Sequence, residues 1–464
     1  MFTKILIANR GEIALRIIRA CRELGVRSVV AHSEADRDSL PVKVADESVC
    51  IGPAAASKSY LNMSNIVTAA LVTGADAIHP GYGFLSENIY FAEICEKCDV
   101  TFIGPRPDVI AQMSDKSVAR ARMHAAGLPV LPGTDRALRS LEEAQELALD
   151  IGYPVILKAA AGGGGRGMRV VGSEAELAQA FTTAQAEAQS AFGSGQLYLE
   201  RYLEHCRHIE VQVMGDNHGN VIHLGERDCS IQRRHQKMVE EAPSPALSPA
   251  ERAHLGALAV RGTASIGYSN AGTLEFLRDE RGNFYFLEMN TRIQVEHGVT
   301  EAVTGIDLVK EQIRVAAGLP LSIGQDDVTL RGHAIECRIN AEDPDAGFSP
   351  RFGTLETYLP PGGPGIRVDS HLYAGYTVPM HYDSLLAKVI AWGRDRDEAV
   401  ARMARALAEL RLDGLTTTTP FLQAVMREPL FRAGEVYTDY IERVTTAAAT
   451  MGAADMAVPL DGAV

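Results

Sequence analysis

A chain of 464 residues with 46% hydrophobic content is long enough for about three domains with real cores. Its formal charge of −14 argues against nucleic acid or an acidic membrane surface as partner, and makes local basic clusters candidate sites for small anions. The apolar run at 1–9 is too short for a secretory signal, no later run is long enough to span a bilayer, and seven cysteines suit reduced thiols in a cytoplasm.

The chain opens with a buried strand at 4–8, a helix at 11–24 and a second strand at 28–32, the start of a doubly wound α/β unit. No GxGxxG follows the first strand, which weakens a dinucleotide reading. A strand at 75–79 empties into the Gly/Pro-rich loop 80–88, either a ligand loop presenting Tyr82 or a plain turn with Tyr82 packed inward. Cys95 and Cys98 form one CxxC with no second pair, so they read as ordinary helix thiols rather than zinc ligands. A strand at 100–104 follows, and Asp115-Lys116 opens the helix that leaves this domain.

Proline and glycine at 129–133 mark a boundary. Residues 153–160 form a strand carrying Lys158, and Gly162-Gly163-Gly164-Gly165-Arg166-Gly167 comes next. The residues after these glycines, Met168 to Val171, are strand-like, so neither a Rossmann turn nor a Walker A loop fits. A glycine loop between two strands reads as a mobile flap whose amides close over phosphates, the alternative being a floppy hairpin tip. Ser173 and Glu176 form a capping box for the next helix. A strand at 196–202 carries Glu200 and Arg201, and 207–214 alternates with His208, Glu210 and Gln212 on one face. The basic stretch 227–237 (RDCSIQRRHQK), followed by Glu240 and Glu241, reads as an anion site, against a solvated charged turn.

The most informative stretch is 284–297 (FYFLEMNTRIQVEH). From Glu288 on, Glu288, Asn290, Arg292, Gln294 and Glu296 occupy alternate positions with apolar residues between them. Folding 271–277 back on it about a turn containing Gly282 sets Glu275 opposite or next to Glu288. Facing carboxylates repel. A divalent cation resolves the conflict, with Asn290 as a further oxygen ligand; an edge hairpin with a solvated charged face is the alternative. A straight strand from 288 to 296 would be about 26 Å long, at ~3.3 Å per residue, so the chain has to bend after Asn290. Farther on, 331–341 alternates again with Arg338 in its polar set, 377–392 and an alanine-rich helix at 397–410 complete the last domain, and the tail beyond 444 has no periodicity.

Four long motifs, HPGYGFLSEN at 79–88, GGGGRGM at 162–168, RDCSIQRRHQK at 227–237 and EMNTRIQVEH at 288–297, make the chain resemble the biotin carboxylase family over 2–443. The resemblance implies an α/β ATP-grasp fold. Its parts would be an N-terminal doubly wound pre-ATP-grasp domain (1–113), a small domain (114–203) with a mobile α+β lid from about 131, and a large domain joined to a C-terminal α+β domain (204–446, the latter from about 333). Residues 447–464 would be a disordered tail.

By resemblance, Lys116 and Lys158 contact ATP phosphates, with Gly163, Gly164, Gly165, Arg166, Gly167 and Met168 as the lid loop. Glu200 and Leu203 fall on the adenine side, and Arg201, His208, Gln232, His235 and Leu277 are further ATP-binding positions. Glu275, Glu288 and Asn290 would hold Mg²⁺ or Mn²⁺, two ions in all, the two glutamates also counting among the ATP-binding set. Lys237, Arg292, Gln294 and Val295 would form the bicarbonate pocket. Glu296 would be the general base, Arg338 the group stabilising the biotin enolate, and Tyr82 the aromatic beside the biotin ring.

Several departures and absences accompany the match. Gly298 stands where the family usually has Pro, which is expected to loosen the loop carrying Glu296. Thr418 replaces a usual Asn, and Ser349-Pro350-Arg351-Phe352 departs from Pro-Ser-Pro-Gly. There is no Ala-Met-Lys-Met biotinylation motif, so the expectation is a free-standing subunit acting on a separate biotin carboxyl carrier protein beside a separate carboxyltransferase, as in acetyl-CoA carboxylase. The matching subunits of propionyl-CoA, other acyl-CoA or pyruvate carboxylases are the rivals. Arg19 and Glu23 match the family's homodimer contact, which implies a dimer.

Overall fold

The computed structural model describes residues 1–134, 136–160 and 168–444. The glycine run of the expected lid and the expected tail lie outside the described residues. The first unit is a five-stranded parallel sheet built from β1 (Lys4–Ile7), β2 (Arg27–Ser33), β3 (Glu47–Gly52), β4 (Ala77–His79) and β5 (Thr101–Phe102), in the order β3-β2-β1-β4-β5. Helix α1 (Gly11–Glu23) buries Ile13, Ile17, Ile18 and Cys21. The strand order reverses between β1 and β4, which is where open α/β sheets place ligands. There Asn9 Nδ2 donates to the carbonyls of Pro80 and Tyr82, each at 2.7 Å, tying the two loops into one wall.

A small antiparallel sheet, β7-β6-β8, joins β6 (Val155–Ala159), β7 (Met168–Val171) and β8 (Leu197–Arg201). Two helices, Leu141–Ile151 and Glu174–Phe192, cover it through Ala144, Ala148, Leu177, Phe181, Ala184 and Ala188. The expected capping box is not made. Ser173 is the N-cap without a side-chain bond to the helix backbone; Glu176 instead accepts from the Gly172 amide (3.2 Å) and the Ser173 hydroxyl (3.0 Å).

The largest element is an eight-stranded antiparallel sheet. It contains β9 (Arg207–Gly215), β10 (Val221–Arg233), β11 (Gln236–Ala242), β12 (Asn270–Arg278), β13 (Phe284–Asn290) and β14 (His333–Asn340), then strands Ile366–Ser370 and Leu385–Gly393. The order is β13-β12-β9-β10-β11-β14, then Leu385–Gly393, then Ile366–Ser370. β14 pairs directly with β11, so the sheet runs unbroken past residue 333.

The hairpin β12–β13 has the expected pairing, Glu275 opposite Glu288, with Gly282 at φ +84° in the connection. A register shift then makes Phe276 the partner of Phe286, which leaves Leu287 as the extra residue of a bulge. The bulge switches faces. Phe284 and Phe286 therefore pack in the same core as Met289, on the opposite face from Glu288.

Candidate active site

Register explains how carboxylates gather. Glu210 on β9 pairs with Glu275 on β12, which pairs with Glu288 on β13, so three glutamates form one row across adjacent strands. Like charges in such a row destabilise a sheet unless cations stand between them. On the far side of Glu210, β10 contributes Arg227, which is fully buried; its Nη1 donates to Gln212 (2.7 Å) and Thr300 (2.9 Å), and its Nε donates to Glu210. Lys237 Nζ donates to Glu275 at 3.0 Å and Glu296 at 2.6 Å, as well as to Glu210. His208 Nε2 lies 3.2 Å from Glu275, and Lys116 Nζ lies 2.8 Å from Glu288.

The chain turns after Asn290, as the length argument requires. Strand β13 ends there, and Glu296 becomes the N-cap of helix His297–Thr304. The intervening loop is held by Glu87, which accepts from the Thr291 amide (2.9 Å) and from Arg292 Nε (3.0 Å). Arg292 also donates to Gln294 (2.9 Å) and to the Asn290 side-chain oxygen (3.0 Å), while Asn290 and Gln294 donate to Glu275. Arg338 reaches in from β14, donating to Glu240 at 2.6 Å and to Glu296 at 2.8 Å. Glu296 thus sits between two cations with no exposed surface. Burial pushes its carboxyl up, but Lys237, Arg338 and Arg227 together outweigh this and hold it well below the usual carboxylate range. Burial likewise opposes the charge of Lys237, and Glu210, Glu275 and Glu296 outweigh it, so its pKa is raised. Glu240 is pushed up by burial, to about 7, despite Arg338.

The nucleotide side is assembled from the small sheet and its neighbours. Lys158 Nζ donates to Glu200 at 2.6 Å, and Arg120 reaches the same carboxylate at 3.2 Å, so two residues expected on different parts of the nucleotide form one buried pair. Met168 starts β7, Arg201 ends β8 with its side chain exposed, and Leu203 follows it half-buried. Gly163, Gly164, Gly165, Arg166 and Gly167 lie outside the described residues. Gln232 pairs with Lys237 across a tight turn in which Arg234 and His235 have φ of +49° and +65°. Leu277 pairs with His208 on the same face of β12 as Glu275.

Tyr82 is half-buried and its hydroxyl donates to Glu12. It lines a cavity of about 290 Å³ with Asn9, Arg10, Phe84, His381 and Asp383. It therefore faces a cavity, although it is also tied inward.

Two expectations need correction. The basic stretch 227–237 is not one anion patch. Arg227 and Asp228 are buried on opposite faces of β10, Asp228 accepting from Ser244 (2.9 Å) and pairing with Arg207 (3.2 Å), while Arg233 turns out to the Gly347 carbonyl (2.9 Å). Of its basic side chains, Arg227 and Lys237 join the carboxylate cluster, both through Glu210. Nor does Gly298 loosen its loop. It is buried in the first turn of helix His297–Thr304, and a Cβ there would lie 2.4 Å from Ile390 Cδ1 and 3.2 Å from Glu336 Oε2. The Thr418 departure is structural: its hydroxyl donates to the Arg338 carbonyl (3.1 Å) and accepts from the Asn340 amide (3.0 Å).

Sequence reasoning assigned no site role to Glu12, Glu87, Glu210 or Lys388, and took Arg227 and Glu240 only as parts of a charged stretch. Glu87 stands inside the motif at 79–88 and Glu210 was on the polar face with His208, so both carried a signal. Glu12 and Lys388 carried none, Glu12 reading as an ordinary acid in a first helix turn and Lys388 as a single charge in an apolar strand. All seven cysteines are free, and among the described residues no helix is long and apolar enough to cross a membrane.

The row of acids suits a divalent cation. Glu275, Glu288 and Asn290 offer hard oxygens on adjacent strands, and in addition single donor atoms of His208, Glu210 and Glu275 lie within 4.8 Å of one another. Residues 1–110 match the biotin carboxylase N-terminal domain, 115–324 the ATP-binding domain of the carbamoyl-phosphate synthase large chain, and 336–443 the biotin carboxylase C-terminal domain. The biotin carboxylase of Nostoc sp. is 58% identical over 96% of this chain and 99% of its own length. A pyruvate carboxylase subunit of Methanothermobacter thermautotrophicus is 55% identical over 95% of this chain and 90% of its own. The biotin carboxylase domain dimer of Hydrogenobacter thermophilus 2-oxoglutarate carboxylase, solved with MgADP, ADP and bicarbonate, superposes with a TM-score of 0.93 at 53% identity, covering 96% of this chain and 98% of that one. The chain belongs to the biotin carboxylase family, with an ATP-grasp fold and the ATP-dependent carboxylation of biotin as its reaction.

Proposed function

We propose that this chain is the biotin carboxylase subunit of an acetyl-CoA carboxylase, acting on biotin attached to a separate carrier protein beside a separate carboxyltransferase, as a cytoplasmic homodimer. The observation that carries the chemistry is the placement of Glu296 between Lys237 and Arg338, 2.6 and 2.8 Å away, next to the glutamate row. Glu296 takes the proton of bicarbonate. Arg292 and Lys237 hold its charge, with Gln294 and the Val295 backbone completing the pocket, and the oxygen attacks the γ-phosphate to give carboxyphosphate. Lys116 and Lys158 turn to the phosphates of ATP. Glu275, Glu288 and Asn290 would hold Mg²⁺ or Mn²⁺, which neutralises phosphate charge when bound. Carboxyphosphate releases CO₂ and phosphate, the phosphate takes the biotin N1 proton, and Arg338 stabilises the resulting enolate-like ureido oxygen beside Tyr82. A dimer is supported by the exposed Arg19 and Glu23 on α1 and by the dimeric Hydrogenobacter domain.

A second reading, the corresponding subunit of a pyruvate or other acyl-group carboxylase, is favoured by the 55% identity to the Methanothermobacter pyruvate carboxylase chain. The acyl acceptor is chosen on another polypeptide. The deciding experiment measures ATP cleavage by the purified chain with Mg²⁺, with bicarbonate and biotin added singly and together. Turnover requiring both is expected, and turnover indifferent to biotin overturns the reading. Purification with bound partners, followed by assay with acetyl-CoA, propionyl-CoA and pyruvate, separates the two alternatives.

A further inference from the structure

Lys388 has no exposed surface and lies in the apolar strand Leu385–Gly393. An ammonium is stripped of water at a cost unless fixed partners replace it. Its partners come from three separate parts of the fold. Nζ donates to the Val295 carbonyl at 2.6 Å, lies 3.3 Å from Glu12 Oε1 on α1, and lies 3.8 Å from Asp369 on the neighbouring strand. The same Glu12 oxygen accepts from the Tyr82 hydroxyl. Arg338, Lys388 and Asp369 are direct register partners, so all three project from one face of the sheet. Burial works against the lysine's charge; Glu12, Glu336 and Asp369 more than offset it.

A purely structural ion pair would account for some of this, yet not for its connections. Asp369 already has Arg367 at 2.7 Å. An apolar pair of similar volume often replaces a buried ion pair without loss. What such a pair cannot supply is a donor to the Val295 carbonyl and an acceptor for Tyr82. The Val295 carbonyl belongs to the peptide that leads into Glu296, so the lysine grips the backbone at the proposed general base. Through Glu12 it also grips the aromatic on the opposite wall of the site.

We propose that Lys388 is a positioning residue that sets the Glu296 loop and the Tyr82 wall at a fixed separation, so that the carboxyl group formed on one side is delivered to biotin on the other. This rests on the proposed roles of Glu296 and Tyr82. Transfer between two bound partners depends steeply on their placement, and a misplacement of ~1 Å can cost on the order of 10²-fold.

The test compares wild type with Lys388→Met, which keeps the volume and removes both charge and donor. The readouts are KM for ATP, kcat for ATP cleavage with bicarbonate and biotin, carboxybiotin formed per ADP released, and thermal unfolding. The expected result is a KM for ATP within about twofold of wild type, a kcat lowered ~30-fold or more, and fewer carboxybiotins per ADP. A merely structural role would lower the melting temperature and leave the carboxybiotin-to-ADP ratio of the folded enzyme alone, which overturns the proposal. If Lys388→Met does not fold, Glu12→Met reads the same line of contacts, since it keeps the volume and removes the acceptor that Lys388 and Tyr82 share. A ratio lowered at least ~5-fold supports the proposal, and a wild-type ratio overturns it. Absence of bicarbonate- and biotin-dependent turnover in the wild type would instead overturn the functional assignment itself.

Discussion

Gly298 and Ile390 should behave as a coupled pair. Gly298 is the second residue of the helix that Glu296 caps, and an alanine there would normally gain up to ~1 kcal/mol in helix propensity. The structure reverses that sign. The new Cβ would sit 2.4 Å from Ile390 Cδ1, in a site where Ile390 is only 1% exposed, and overpacking of this kind costs about 1–3 kcal/mol. Gly298→Ala is therefore expected to destabilise by ~1–2 kcal/mol. Ile390→Val removes the clashing carbon at a cost of about 0.5–1.5 kcal/mol. The next Ile390 atom, Cγ1, lies at 3.6 Å, an ordinary contact, so in this background only the 3.2 Å approach to Glu336 Oε2 is left and most of the alanine's cost should disappear. The expected coupling is ~1–2 kcal/mol, well outside the ~0.5 kcal/mol scatter of independent sites. Urea unfolding followed through Trp392, the single tryptophan and two residues from Ile390, reads the transition locally. Turnover should fall in Gly298→Ala and recover in the double variant, because the same helix turn carries Glu296. Additive effects would refute the reasoning and return Gly298 to the role of a loop-loosening substitution.

Glu296→Gln should preserve the circular dichroism spectrum while lowering bicarbonate-dependent ATP turnover by about 10²–10⁴-fold, and turnover like that of the wild type would remove Glu296 from its role. Glu241 bonds His333 and Arg396, each at 2.7 Å, and although burial pushes its carboxyl up, these partners hold it down at about 2. A depressed carboxylate stabilises fully above its unfolded pKa. That contribution, on the order of 3 kcal/mol, should fade as pH falls from about 4.5 toward about 2. Glu241→Gln should flatten this acid limb in urea titrations, and an unchanged limb would contradict the assignment. Arg227→Met should cost up to about 3–5 kcal/mol, since it leaves Glu210 buried with Lys237 as its remaining close cation, and adding Glu210→Gln should recover part of it; equal midpoints for single and double variants would argue against the pair.

What was legible depended on whether a residue's role was written in local pattern or in register. The hairpin was legible because period-two alternation and one glycine turn decide which residues face each other, and Glu275 does oppose Glu288. The bulge at Leu287 was not. Nothing in the local pattern distinguishes an extra residue from a continued strand. The bend after Asn290 followed from chain length alone, while its anchor, Glu87, sits 204 positions upstream of Thr291. The stretch 227–237 misled because charge in a sequence reads as exposure, and Arg227 is completely buried against an acid seventeen residues earlier. Gly298 misled for the reverse reason: its space is filled by a side chain from another strand, which no local reading can see.

The same geometry places a condition on the proposed reaction. A carboxylate held well below its ordinary pKa is a poor base, and Glu296 is held there by the two cations that also have work to do on the substrates. Lys116 and Lys158 are occupied in the same manner, by Glu288 and Glu200. Each cation thus has at least one carboxylate partner within the protein, and in the proposed reaction it gains an anionic partner among the substrates. In the proposed reaction bicarbonate would draw Lys237, whose three donors are all taken by carboxylates, away from them, and ATP phosphates would compete with Glu288 and Glu200 for Lys116 and Lys158. Such an exchange would raise the basicity of Glu296 as bicarbonate arrives to be deprotonated, and would free Glu288 to hold a metal ion as phosphate charge arrives. On this chemistry the ion pairs of the resting site are the counter-ions that the substrates replace, and the acid row is tolerated in the fold because those cations neutralise it until they do.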